Sequence, residues 1–187
     1  MPETIILGTG TDAATGYFFH APAGTAIPED PTAALPSAWK NVGYVTQDGI
    51  TFTPDKSTND LKDWANKVRR SIMTDHNETV QVPIMETTEE TMKVIFGSEN
   101  VTVTDATTTA GKKISVNLSP SSLPEPEAFL FLMKDVDTVA MLGCSKGQIT
   151  ELGDITMAPA DSITWNATIK GLDDGWKLIT DDGTPTG

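Results

Sequence analysis

Metal binding and nucleophilic or acid–base catalysis draw on histidine, cysteine and clustered carboxylates. This chain of 187 residues has two histidines, His20 and His76, and one cysteine, Cys144. They are far apart in sequence, and a zinc site needs three or four ligands brought together. "GTGTDAATG" at residues 8–16 has the composition of a phosphate loop but lacks the Gly-Lys-Ser/Thr ending and a following helix. "DKSTND" at Asp55–Asp60 alternates oxygen-bearing side chains like a calcium loop, without the central glycine or the distant bidentate glutamate. Asp135 with Asp137, or Glu151 with Asp154, offers acid–base pairs, but acidic residues are common enough here for such pairs to arise by chance. Ser145 has no nucleophile-elbow context. The expectation is a protein that is not an enzyme, with no catalytic, cofactor-binding or metal-binding residues and no cofactor.

Charge is the more informative property. Acidic residues number 26 against 13 basic ones, a net charge of −13. That balance argues against a sequence-reading nucleic-acid binder, which needs cations for phosphates. Yet Asp55–Arg70 holds five cations, Lys56, Lys62, Lys67, Arg69 and Arg70, against Asp55, Asp60 and Asp63. This stretch is net +2, leaving −15 for the rest of the chain.

The elements around it read mainly as strands. Val42 and Tyr44, Ile50 and Phe52, then Val80, Val82 and Ile84 alternate with polar neighbours, and Gln47–Gly49 supplies a turn suited to a hairpin. Val101 with Val103, and Ile114, Val116 and Leu118, mark shorter pieces. In "SITWNATIK" the residues Ile163, Trp165, Ala167 and Ile169 share one face, so Ile163, Trp165 and Ile169 are expected in the core. Glu127–Asp135 is apolar on both faces and belongs in the middle of a sandwich. "METTEETMKVIFG" at Met85–Gly97 breaks the pattern. Thr87 can cap, Glu90 can reach back, Met92, Ile95 and Phe96 have helical spacing, and Gly97 suits the stop. The spacing predicts a helix of about three turns over residues 87–96.

The first 38 residues, rich in Ala, Gly, Thr and Pro, read as an extended arm in which "GYFFHAP" is one short strand. A β domain follows over 39–180, with a last strand at Trp176–Thr180 and a polar tail at 181–187. The fold class expected is mainly β: a β-sandwich or barrel with one flanking helix, an extended N-terminal arm, a long hairpin loop at 55–70 and a C-terminal tail. The single cysteine makes no internal disulfide. Residues 1–10 lack the basic start and apolar run of a signal peptide, and Ala128–Met133 is too short to span a bilayer, so synthesis in a cytoplasm and no membrane insertion are expected. The sequons at Asn77, Asn100, Asn117 and Asn166 are then by-products of a Thr-rich chain.

Residues Ala21–Arg70 carry a family resemblance. The "APAGT" turn, "AALPSAWKNVGYVTQDG" and "KSTNDLKDW", followed by "TTEETMKVIFG", resemble the tail tube (major tail) proteins of long-tailed phages and prophages of Gram-positive bacteria. The resemblance is strongest over residues 20–100 and rests on order and texture. It implies a virion tail protein whose sheets join side by side into hexameric rings, stacked into a tube through which DNA leaves the capsid without specific binding. A tape-measure protein and other tail proteins would be its partners, and arms and a long hairpin loop would bridge the rings. The basic stretch, with Lys56, Lys62, Lys67, Arg69 and Arg70, is then expected to contact a neighbouring subunit. A phage tail terminator, a head–tail joining protein and a carbohydrate-binding sandwich are the alternatives. The last would want exposed aromatics gathered on one face, whereas Trp39, Trp64, Trp165 and Trp176 are scattered.

Overall fold

The computed structural model describes residues 17–135, 138–155, 157, 162–173 and 175–181. Ten strands and one helix follow in the order β1 (Tyr17–Pro22), β2 (Lys40–Tyr44), β3 (Thr51–Lys62), β4 (Val68–Ile84), α1 (Glu89–Phe96), β5 (Val101–Thr104), β6 (Lys113–Val116), β7 (Glu127–Asp135), β8 (Thr138–Leu152), β9 (Trp165–Gly171) and β10 (Lys177–Asp181). Eight strands form one antiparallel sheet, ordered β2-β1-β7-β8-β9-β4-β3, with β10 beside the first half of β8. The remaining two, β5 and β6, form a small separate hairpin.

The large sheet curls without closing into a barrel. Just past β2, Val45 bridges Ile84 at the end of β4, flanked by Thr46 N–H to Pro83 C=O (2.9 Å) and Met85 N–H to Tyr44 C=O (3.0 Å). Bulges in the β1–β2, β7–β8 and β8–β9 pairings supply extra twist toward this curl.

Alternation then fills both faces. On the inner face Phe18, Val42, Val80, Val82, Ile84, Phe129, Phe131, Ile149, Trp165, Ala167 and Ile169 form one cluster. Met92, Val94, Ile95 and Phe96 of α1 and Val101 of β5 complete it. On the outer face Ala21, Ala128, Leu130 and Met141 pack with Trp39, Ile27 and Leu35. Thus β7 sends Phe129 and Phe131 inward and Ala128 and Leu130 outward, as its doubly apolar sequence requires. A close fit marks Gly147 on β8, where a Cβ would stand 2.9 Å from the Phe129 ring and 3.1 Å from Ile169.

The stretch read as an arm divides into three. Residues 17–22 are β1, hydrogen-bonded between β2 and β7 with Phe18 fully buried. Residues 23–39 lie against the outer face, pinned where Gly24 N–H meets Ser145 C=O at 2.8 Å. Residues 1–16, like the tail residues 182–187, lie outside the described residues.

Three local expectations change. The turn at Gln47–Gly49 forms, with Gly49 at φ 71° and its N–H on Thr46 C=O. The strands on its two sides do not pair with each other: β2 joins β1 and β3 joins β4. The helix is capped by Thr88, whose hydroxyl accepts from Thr91 N–H, and spans eight residues, a little over two turns. Thr87 lies one residue outside the cap, and its hydroxyl instead accepts the Trp165 indole N–H at 3.0 Å. Gly97 does end the helix, at φ 85° with its N–H on Lys93 C=O. Leu118 does not continue the buried face of β6, which stops at Val116, and is exposed.

Candidate assembly interface

The basic stretch is a β-ribbon rather than a loop. Strands β3 and β4 stay in register from Thr51↔Gln81 to Lys62↔Val68, with bulges at Ser57/Thr58 and Leu61/Lys62. Sheet pairing of β4 with β9 ends at Thr79. Beyond that point the two strands continue with no third neighbour for roughly 30 Å, at 3.3–3.4 Å per residue. Every residue of β3, and Val68–His76 of β4, is exposed.

Asp63 builds the tip. Its backbone N–H donates to Lys67 C=O (3.0 Å), its Oδ1 accepts from Ala65 N–H (2.9 Å) and Lys67 N–H (3.0 Å), and its Oδ2 accepts from Arg69 Nε (2.7 Å). These bonds, the Lys67 N–H foremost and Arg69 next, hold the Asp63 carboxyl below its usual range. Asn66 takes the left-handed conformation (φ 59°) that the reversal needs, one that Asn tolerates better than most residues. The result presents Trp64 outward with its side chain fully in solvent (108% relative exposure).

The five cations do not share a face. By alternation Lys56 and Lys62 project from one side of β3, Arg70 lies opposite Leu61 on the other, Lys67 belongs to the turn, and Arg69 folds back onto Asp63. Among the described residues no carboxylate is within ion-pair distance of Lys56, Lys62, Lys67 or Arg70. The core residues expected from sequence lie together on β9 and just before it, beside the sheet-bound end of β4. Trp165 (4% exposed) and Ile169 (0%) are buried on the inner face, while Ile163 is half-buried against them.

Sequence reasoning passed over the apolar content of the ribbon. Leu61, Val68, Ile72 and Met73 are all exposed, Leu61 and Ile72 on one side and Val68 and Met73 on the other. The signal was present in "LKDWANKVRRSIM", where apolar residues interleave with cations that no core could accept. A second feature left no signal at all. His20 sits between two carboxylates, Nδ1 at 2.8 Å from Glu127 and Nε2 at 3.0 Å from Glu90, and Lys40 reaches Glu90 at 3.2 Å. This ties α1 to β1, β2 and β7 across sequence separations of 107, 70 and 50 residues. Among the described residues no group of three or more His, Cys, Asp or Glu side chains is arranged to hold a metal ion. Nor is any helix among them long and apolar enough to cross a membrane.

A curled antiparallel sheet filled on both faces, with a bare two-stranded ribbon reaching away from it, defines a β-protein shaped for assembly. The family model for phage tail tube proteins matches residues 10–181, and the chain belongs to that family. A comparison with curated proteins finds no match. Membership makes this a structural protein of the phage tail that assembles as a polymer with other tail proteins.

Proposed function

We propose that this protein polymerises as hexameric rings stacked into the phage tail tube through which DNA is ejected, with the β3–β4 ribbon bridging one ring to the next. The observation that carries this reading is the ribbon itself. A lone two-stranded hairpin is marginally stable in water, and one that exposes Leu61, Trp64, Val68, Ile72 and Met73 gains by being covered. A subunit in the adjoining ring would cover it. The cations Lys56, Lys62, Lys67 and Arg70 would then meet the acidic surface of that subunit, whose charge outside this stretch totals −15. Arg69 contributes indirectly by shaping the tip around Asp63. Net negative charge also suits a conduit for DNA, since a basic lumen would bind phosphates and slow transit. Within a tail the tape-measure protein and other tail proteins are the expected partners.

The test is negative-stain microscopy of purified protein beside a variant in which residues 56–76 are replaced by a two-residue turn, which joins the paired Asp55 and Asn77. Wild type should form tubes. The shortened variant should keep its circular dichroism and its monomer or single-ring size but form no tubes. Tubes of normal length from the shortened variant would remove the ribbon from the stacking contact.

A further inference from the structure

Resting on that reading, we infer that Trp64 is an anchor that enters a specific cavity on the outer face of a second copy of this chain. A cavity of about 420 Å³ opens there, floored by Phe19, Leu132 and Val139 and walled by Pro31–Leu35. Its lining is predominantly hydrocarbon, a surface suited to an indole. Lys134 also lines it, at its edge with β7.

Charge favours the same pairing. The tip carries Lys62, Lys67 and Arg70 without carboxylate partners among the described residues. The cavity wall is preceded by exposed Glu29 and Asp30. Asp30 is held ionised by Thr32, whose hydroxyl and N–H both donate to its Oδ1 (2.6 and 2.8 Å). A second cavity, of about 310 Å³, is bounded by Asp48, Gln81, Asn166 and Thr168. It is more polar and lies at the root of the ribbon itself, so it fits an aromatic tip less well. An aromatic anchor in a pocket closed off from water by its neighbours is the arrangement that concentrates binding energy at interfaces.

Three measurements test this on the full chain. First, in monomers Trp64 should account for most acrylamide quenching of tryptophan fluorescence, because Trp39 and Trp165 are buried and Trp176 is half-buried. In tubes that quenching should fall severalfold. Second, Trp64→Ala should raise the protein concentration needed for tubes at least tenfold. Ala34→Trp, which fills the cavity from an exposed position, should do the same with its circular dichroism unchanged. Third, the double variant Ala65→Cys/Ala33→Cys, treated with a bismaleimide after assembly, should give a ladder of linked chains. Ala65→Cys/Thr168→Cys, aimed at the second cavity, should not. The native Cys144 is fully buried and its thiol is pushed up by that burial, so it stays silent.

A ladder only with Thr168→Cys, or normal tubes from Ala34→Trp, overturns the cavity while leaving the ribbon as the bridge. Undiminished quenching of Trp64 in tubes overturns the anchor. Failure of wild type to form any polymer overturns the proposed function and this inference with it.

Discussion

The indole N–H of Trp165 donates to the hydroxyl of Thr87 at 3.0 Å, fastening the inner face of β9 to the residue just ahead of the cap of α1. The same ring meets Phe96 edge-to-face, centroids 5.7 Å apart and planes at 87°, so it holds both ends of the helix. Trp165→Ala should therefore cost about 3–5 kcal/mol, as large core truncations do. Urea unfolding of the monomer measures it. A loss below about 1 kcal/mol would mean that the helix docks without this ring.

The two adjacent threonines should separate by role. Thr88→Ala removes the cap and should cost about 1 kcal/mol, largely recovered by Thr88→Ser or Thr88→Asp. Thr87→Ser keeps the acceptor for Trp165 and should be close to neutral, whereas Thr87→Val removes this part-buried hydrogen bond and should cost about 0.5–1.5 kcal/mol. Equal behaviour of the two positions in denaturant titrations would contradict this division.

Glu89 receives both Lys93 and Lys112, linking the first turn of α1 to the chain ahead of β6. The Lys112 ammonium, then Lys93, brings its carboxyl from the ordinary 4.5 down to about 2. A depressed folded value means that this tie supports the native state above about pH 4.5 and is lost as pH falls through about 2. Wild type should lose stability relative to Glu89→Gln across that acid window, and the two curves should run parallel above pH 5. Denaturation midpoints at pH 6, 4, 3 and 2 check it. A gap that widens only above pH 5 would have the wrong sign.

Gly147→Ala places a Cβ 2.9 Å from Phe129 and 3.1 Å from Ile169, both fully enclosed. Overpacking of this kind costs about 1–3 kcal/mol. Thermal unfolding should show a lowered midpoint, and Gly147→Val should lower it further. If Gly147→Ala is neutral, the inner face has slack.

Reversal of Lys62, Lys67 and Arg70 to Glu should leave monomers folded, because among the described residues none of the three bonds a carboxylate. Each exposed pair is worth only about 0–1 kcal/mol, but the loss recurs in every subunit of the polymer. Tube length in micrographs should collapse. Arg69 is left in place so that the Asp63 tip survives and a failure reports contact rather than misfolding. Tubes of wild-type length from the triple variant would make the ribbon's charge irrelevant to assembly.

The sequence by itself determined what depends on periodicity and local chemistry. Alternation in Trp165–Ile169 fixed which side chains face inward, the doubly apolar run of β7 marked a strand covered on both sides, and Gly97 marked where the helix stops. It also isolated the cationic stretch, since unpaired charges cannot be buried. Tertiary structure decided what depends on partners distant in the chain. Nothing local tells β3 to turn from β2 to β4, because many strands are equally good hydrogen-bonding edges and the choice rests on the pattern of the whole sheet. Nothing local shows that residues 23–39 would cover the outer face, since Ile27, Leu35 and Trp39 are too sparse to read as an element. The same holds for His20, which finds Glu90 and Glu127 only when the sheet and helix are assembled. The ribbon joins the two kinds of information. Its charges were legible because composition is local. Its reach, its Asp63-built tip and the solvent exposure of Trp64 follow from two strands continuing past the end of the sheet that supports them.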